Sequence, residues 1–143
     1  MKYKFDNTIT FEDYTALREA VGWRKISKRQ FELGLKNAHY IAVVKNDNNR
    51  GIGIIKGLGD GGYYWLLSDL IVHPDYQGLG FGRKLVEGFL KHVDVSAEKG
   101  ENLHITLASS KGKEPFYEKF GFKTRPFAEG IQGAGMSMNY EKI

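Results

Sequence analysis

Apolar and polar positions follow a helical period in some parts of the chain and a strand-like pattern in others. Residues 11–21, FEDYTALREAV, place apolar side chains on one helical stripe, with Thr10 as a candidate N-cap. Ser27 and Gln30 have the spacing of a capping box before a second short helix. Residues 63–72, YYWLLSDLIV, are apolar on both faces, which is typical of a central strand.

These patterns predict a mixed α/β (α+β) fold and not a regular βαβ repeat. The predicted helices are 11–21, 28–36, 79–92 and 113–120. The predicted strands are 3–10, 39–46, 50–57, 63–72 and 103–108, with one or two more in the C-terminal tail. The sheet is therefore expected to have six to seven strands, flanked by about four helices.

The segment 69–85, DLIVHPDYQGLGFGRKL, joins the central strand to the third helix through glycines at every second position. Glycine costs about 1 kcal/mol relative to alanine inside a helix. Gly78, Gly80 and Gly82 therefore indicate that a ligand approaches this backbone closely. The free N–H groups of a first helical turn favour an anion, and phosphate above all.

Two common phosphate-binding motifs do not fit this segment. A P-loop requires GxxxxGK[ST], and the chain contains no GK[ST]. A dinucleotide-binding GxGxxG starting at Gly78 would place its third glycine at Arg83.

Composition narrows the function further. The 143 residues suggest a single domain spanning 1–143. The absence of cysteine excludes disulfides and a thiol nucleophile. The net charge of +4 is spread without a block of like charges, so nucleic acid is not an expected partner. The apolar runs are too short for a membrane span, and the N-terminus does not resemble a signal peptide, so we expect a cytoplasmic protein.

Two motifs resemble those of one known family, the GNAT superfamily of acyl-CoA-dependent N-acyltransferases. Residues 77–82, QGLGFG, match the pattern [R/Q]-x-x-G-x-[G/A], which in this family follows a strand ending in V-x-P. Residues 115–122, PFYEKFGF, resemble the second signature, a short helix that carries a tyrosine before GF. The resemblance covers about residues 40–125. It implies a mostly antiparallel sheet whose fourth and fifth strands splay apart.

The resemblance implies that acetyl-CoA is the co-substrate and that no metal takes part. The pantetheine chain would pair with the backbone of the fourth strand, and the pyrophosphate would bind the N–H groups of the glycine turn, with cationic help. Ser109 or Ser110 stands where the family often has an asparagine that contacts pantetheine. The implied cofactor-binding residues are Leu70, Ile71, Val72, Gln77, Gly78, Leu79, Gly80, Phe81, Gly82, Arg83, Lys84 and Ser110.

The implied chemistry is direct attack of an amine on the thioester in a ternary complex. Tyr117 matches the family tyrosine that protonates the departing CoA thiolate. A backbone N–H near Ile71 or Val72 would polarise the carbonyl oxygen. Asp69, the acid in an otherwise apolar central strand, is either the general base or a structural carboxylate. His73 at the end of the strand is a weaker candidate for the base.

The acceptor is predicted to be a primary amine on a small molecule. Aromatic residues such as Trp23 and Tyr63 lie in segments that form the acceptor pocket in the family, and aromatic faces suit an amine. Two alternatives stay open: a non-catalytic acyl-CoA-binding sensor and a protein or peptide N-acetyltransferase. Many relatives form dimers, so a homodimer is among the expected assemblies.

Overall fold

The computed structural model describes residues 2–124. The chain divides into two compact units with the boundary between Ile105 and Thr106. The strands are β1 (Lys4–Asp6), β2 (Tyr40–Lys45), β3 (Gly51–Gly59), β4 (Tyr64–Val72) and β5 (His104–Thr106). The helices are α1 (Phe11–Ala20), α2 (Lys28–Asn37), α3 (Phe81–Ser96) and α4 (Glu114–Glu118), with a short 3₁₀ turn at Pro74–Tyr76.

The strands form one sheet in the order β1-β2-β3-β4-β5. The pairings β1–β2, β2–β3 and β3–β4 are all antiparallel, as the family resemblance implied. Within residues 2–124 the sheet has five strands, so the prediction of six to seven is not matched there. The one or two strands predicted for the C-terminal tail lie outside the described residues.

Both N-terminal helices begin at the predicted caps. The Thr10 hydroxyl accepts a hydrogen bond from the Asp13 N–H at 3.1 Å, which satisfies one of the free donors of the first turn. Ser27 and Gln30 form the reciprocal capping box, with distances of 2.9 and 3.1 Å. These local contacts fix where α1 and α2 start, because each satisfies backbone groups that the helix itself cannot pair.

The helices of the first unit cover opposite faces of the sheet. Ile54 of β3 is fully buried in a cluster with Tyr14 and Leu17 of α1 and Phe31 of α2. Its neighbour Gly53 faces the other way, toward α3. Since successive strand residues point to opposite faces, α1 and α2 lie on one side of β3 and α3 lies on the other.

Helix α3 is longer than predicted. It runs to Ser96 because Val93 is buried and extends the apolar stripe of Leu85, Val86 and Phe89 by one turn. Among the helices of residues 2–124, none is long and apolar enough to cross a membrane.

Close contact between α3 and the sheet requires glycine at position 57. A Cβ built on Gly57 would lie 2.4 Å from Cε1 of Phe89, and Phe89 is fully buried. Glycine is otherwise unfavourable in a strand. The close packing of α3 on β3 therefore explains part of the glycine content of β3.

A histidine pair also joins α3 to the sheet. Nδ1 of His39 and Nε2 of His92 are 2.9 Å apart, and the indole of Trp65 packs against both rings. Such a contact requires one ring to donate and the other to accept. Partial burial, and secondarily the neighbouring His39, lower the pKa of His92.

The substitution Gly57→Ala is expected to lower the free energy of unfolding by about 1–3 kcal/mol, the range found for overpacked cores. Urea denaturation measures the difference. Gly62→Ala is the matched control, because a Cβ at Gly62 meets only Asp60 Oδ1 at an ordinary 3.7 Å. Equal stability of the two variants would contradict the close packing of Phe89 on β3.

The histidine pair predicts a loss of stability in mild acid. The folded pKa of His92 lies below its unfolded value, so the unfolded chain takes up the proton first as pH falls. Stability should therefore decrease from about pH 6.5 downward and level off below the folded pKa. Denaturation midpoints across this range should show a shallower slope for His92→Gln than for His104→Gln, a histidine outside the pair. Identical slopes would show that the pair does not control this dependence.

Candidate functional site

A β-bulge interrupts β4 at Asp69. Lys56 pairs with Ser68 and Ile54 pairs with Ile71, so Asp69 and Leu70 together oppose a single residue of β3. Asp69 has a φ of 52°, in the left-handed region that residues other than glycine rarely adopt. Aspartate is one of the residues that tolerates this conformation, and bulges are frequent beside active sites.

Three side chains from α1 and β3 hold the Asp69 carboxylate. The Tyr14 hydroxyl donates a hydrogen bond to Oδ2. Lys56 Nζ lies 3.2 Å from Oδ2, and Arg18 Nη1 lies 3.5 Å from Oδ1. The side chains of Arg18, Lys56 and Asp69 are only 15%, 12% and 13% exposed, so water screens these ion pairs weakly. The carboxylate is thus engaged by a phenol and two cations before any substrate binds.

The two cations are themselves fixed in place. The Arg18 guanidinium carbon lies 5.7 Å from the ring centroid of Tyr14 and 5.5 Å from that of Trp23, and Nε donates to the Arg24 carbonyl at 2.8 Å. Lys56 Nζ lies 5.9 Å from the Tyr14 centroid. These cation–π contacts restrict both side chains to the neighbourhood of Asp69.

Tyr14 connects this cluster to the core. Its side chain is almost fully buried against Phe31 and lies on the apolar stripe of α1. Burial, and after it the hydrogen bond to Asp69, raise the pKa of Tyr14 well above that of a free phenol. Tyr14 therefore stays protonated at neutral pH and can only donate to the carboxylate. The apolar stripe of α1 thus positions Tyr14 as the donor of a hydrogen bond whose acceptor, Asp69, lies on the bulge.

Glycine on α2 leaves room for the ammonium group. A Cβ built on Gly34 would lie 3.1 Å from Lys56 Nζ, closer than most real Cβ contacts. Any larger residue at position 34 would therefore press on Lys56 and move it relative to Asp69.

Beyond the bulge, β4 presents backbone groups away from β3. The His73 N–H donates to the Ile52 carbonyl at 2.8 Å. Hydrogen-bonded and non-hydrogen-bonded pairs alternate in an antiparallel ladder, so Ile71 faces Ile54 and the N–H and C=O of Val72 point away from β3. Of the two N–H groups predicted to polarise a carbonyl, that of Val72 is the one aimed outward.

Gln77 connects the end of β4 to the turn that follows. Its side-chain amide donates to the Val72 carbonyl at 2.9 Å, and its own N–H lies 3.4 Å from the Pro74 carbonyl. His73 caps the 3₁₀ turn, because its Nδ1 accepts from the Asp75 N–H at 3.1 Å. Both residues therefore have a structural part in shaping this turn.

The glycine turn opens onto the N-terminus of α3. Gly78 and Gly80 have φ values of 81° and 86°, and a Cβ built on either would meet nothing within 4 Å. Gly80 is the N-cap and supplies no side-chain oxygen, so no side chain caps the first turn of α3. The turn thus leaves open space around backbone donors that a helix cannot satisfy internally.

The other residues predicted around this turn differ in exposure. Leu79 is exposed, whereas Phe81 is buried against the ring of Tyr3, so only the backbone of Phe81 is open to a ligand. Arg83 Nε lies 2.7 Å from Glu87 Oε1 in an exposed ion pair, and Lys84 is exposed. Lys84 is therefore better placed than Arg83 to meet an anion.

Tyr117 and Ser110 belong to the second unit. Tyr117 lies on α4, and its ring contacts those of Phe116 and Phe122 at centroid distances of 5.2 and 6.1 Å. Burial raises the pKa of the Tyr117 phenol, so it carries its proton at neutral pH. The Ser110 carbonyl accepts from the Ser109 hydroxyl at 2.8 Å.

The sequence alone does not reveal the partners of Asp69. Tyr14 and Arg18 are four residues apart and therefore share one face of α1, and Lys56 is a cation in an apolar strand. Both features are visible in the sequence. Nothing in the sequence, however, links them to Asp69, which lies more than fifty positions after Tyr14. Within residues 2–124, no three His, Asp or Glu side chains come together as a metal site would require.

The chain is similar in sequence to proteins that are named as acetyltransferases. The N-acetyltransferase ycf52 of Porphyra purpurea, which is itself uncharacterized, is 30% identical over 128 residues, covering 87% of this chain and 70% of the relative. The histone acetyltransferase TAP1 of Glycine max is 29% identical over 131 residues, covering 85% of this chain and 54% of the relative.

A solved structure matches nearly the whole chain. It is that of SA2161 from meticillin-resistant Staphylococcus aureus, named a probable acetyltransferase, with a TM-score of 0.83 and 28% identity over 97% of this chain and 100% of that one. The family model described as "Acetyltransferase (GNAT) domain" matches residues 11–139. The chain therefore belongs to the GNAT family of acetyltransferases.

Proposed function

We propose that this acetyltransferase moves an acetyl group from acetyl-CoA to a primary amine of a small molecule, by direct attack in a ternary complex. The observation that carries the proposal is the turn at residues 78–82. Two left-handed glycines lead into a helix N-terminus without a side-chain cap, next to a strand end whose outer backbone groups face away from β3. This arrangement suits a ligand that combines an extended amide chain with a pyrophosphate.

In this proposal the backbone of Leu70–Val72 binds the pantetheine chain. The turn N–H groups from residue 78 to residue 82 bind the pyrophosphate, with Lys84 as the better placed cation and Arg83 as the second. Gln77, whose N–H is paired with the Pro74 carbonyl, shapes the turn. The outward N–H of Val72 is available to polarise the thioester carbonyl. Ser110 is a further proposed pantetheine contact.

Tyr117 is the proposed acid. The deprotonated amine attacks the thioester carbonyl, the C–S bond breaks, and the Tyr117 hydroxyl gives its proton to the departing thiolate. The nitrogen loses a proton to water as the amide forms, and the Tyr117 phenolate takes a proton back from water. A phenol whose pKa is raised by burial carries that proton at working pH. No covalent enzyme intermediate is required, and the chain has no cysteine to form one.

A second candidate is acetylation of protein amines. It is favoured by one observation, the 29% identity to a relative named a histone acetyltransferase. Against it, a basic peptide favours a groove lined with several acids, whereas the β3–β4 hairpin offers Asp60 alone, and its Oδ1 already accepts three backbone N–H groups of the turn. We therefore prefer the small-molecule acceptor.

The deciding experiment is release of free thiol from acetyl-CoA across arylalkylamines, polyamines, amino sugars and lysine-containing peptides. Turnover with one small-amine class supports the proposal, and turnover with peptides alone supports the second candidate. Binding of acetyl-CoA without thiol release from any acceptor would show a non-catalytic sensor and would contradict both. Gel filtration with light scattering of the same sample tests whether the chain forms the homodimer that is among its expected assemblies.

The substitution Tyr117→Phe is expected to lower kcat by about 10²-fold or more, within the range that general acid catalysis contributes. Steady-state thiol release measures kcat, and equilibrium binding of acetyl-CoA should stay near the wild-type value. Tyr40→Phe serves as control, because it removes another phenol whose pKa burial raises. Unchanged kcat in Tyr117→Phe would exclude Tyr117 as the acid.

Gly82→Ala separates binding from folding. Gly82 lies in the first turn of α3, so alanine should stabilise the helix by up to about 1 kcal/mol. Its methyl group should also block the pyrophosphate and weaken acetyl-CoA binding by at least about tenfold, or 1.4 kcal/mol. Acetylpantetheine lacks the pyrophosphate and should bind both forms equally. Equal affinity of both forms for acetyl-CoA would contradict the pyrophosphate site.

A further inference from the structure

We propose that Asp69 is a positioning residue that locks the bulge of β4 in its left-handed conformation, and that it is not the general base. The inference rests on the proposed function, because the strand it positions is the one proposed to bind acetyl-CoA. The sequence left two roles open for Asp69, general base and structural carboxylate, and only the structural role then remains.

The carboxylate of Asp69 is already occupied. Both of its oxygens have partners: Oδ2 accepts from the Tyr14 hydroxyl and pairs with Lys56, and Oδ1 pairs with Arg18. A general base must accept a proton from the amine within hydrogen-bond reach. Here an approaching ammonium would have to displace two buried cations or share the carboxylate with them.

The bulge of β4 also requires an anchor. A non-glycine residue with a φ of 52° persists only where its surroundings fix it. The three partners come from two different elements, α1 and β3, and so hold the Asp69 side chain from two directions. The residues that follow, Leu70 to Val72, receive their direction from this point.

The bulge also sets the register of β4 against β3. The bulge adds one residue to β4 relative to β3, so it decides which backbone groups after it face outward. Loss of the anchor would allow the bulge to relax or move, and the outward N–H and C=O of Val72 would lose their alignment. The expected defect is therefore in acetyl-CoA binding, which a general base would not change.

Tyr14→Phe is the discriminating variant. It removes one anchor and leaves the carboxylate in place as a base. We expect about tenfold weaker binding of acetyl-CoA, the size that a hydrogen bond to a charged group supports, and faster hydrogen exchange in peptides covering residues 64–73. Tyr40→Phe is the matched control, because its ring packs against Phe89 and His92 and not against Asp69. Wild-type affinity and wild-type exchange in Tyr14→Phe would overturn the proposal.

Asp69→Asn and Asp69→Ala form the second arm. Asparagine tolerates the left-handed region and keeps an oxygen for the Tyr14 hydroxyl, whereas alanine does neither. If Asp69 is a positioning residue, both variants should bind acetyl-CoA more weakly, and Asp69→Ala should lose more affinity than Asp69→Asn. If Asp69 is the general base, both variants should instead lose about 10²–10⁴-fold in kcat to the same extent. Their affinity for acetyl-CoA should be unchanged, and the acid limb of the pH profile should be missing. That second result would overturn the proposal.

These experiments separate the inference from the proposed function. If the wild-type protein does not bind acetyl-CoA, the proposed function fails, and hydrogen exchange in β4 alone then decides on the bulge. If it binds and turns over but Tyr14→Phe exchanges as the wild type does, the function stands and the lock is wrong. Circular dichroism of each variant confirms that the affinities compare folded proteins.

Discussion

The pairing of one carboxylate with two cations and a phenol determines the geometry of the central strand. A left-handed residue other than glycine costs about 1–2 kcal/mol. Removing one partner from a buried ion pair costs about 3–5 kcal/mol, although the residual exposure of these side chains places the cost here toward the lower end. The anchor therefore outweighs the strain that it holds. Because Tyr14 and Arg18 lie one turn apart on α1, the same contacts also set the rotation of that helix over the sheet.

Residues 70–72 of β4 lie between two unusual backbone features. The bulge at Asp69 precedes residues 70–72, and the turn with its left-handed glycines at 78 and 80 follows them. The side chain of Gln77 links the turn to this strand segment, because it donates a hydrogen bond to the outward carbonyl of Val72. Recognition built on this segment depends on main-chain direction more than on side-chain identity. The sequence between the two features can therefore vary as long as the strand remains buried and correctly aligned.

Features encoded by neighbouring residues could be predicted, and features that join distant residues could not. The caps at Thr10 and Ser27 and the glycine turn depend on contacts within a few positions, so the sequence predicted them correctly. The bulge depends on the register between two strands, and no local pattern specifies it. The partners of Asp69 come from α1 and β3, and the His39–His92 contact joins residues more than fifty positions apart. The predicted end of α3 at residue 92 is too early, because Val93, the next residue, continues the buried stripe.

The chain uses two solutions for the same backbone conformation, and the difference between them is informative. At positions 78 and 80 it uses glycine, with nothing within 4 Å of a built Cβ. Glycine adopts positive φ without a steric cost but is free to leave it, so a bound ligand can supply the missing order. At position 69 the chain uses aspartate, which pays a steric cost and is held by partners inside the protein. Glycine at this position would keep the φ but would lose the carboxylate that joins α1, β3 and β4. On the proposed function, the strand is therefore ordered before acetyl-CoA binds, and the pyrophosphate orders the turn.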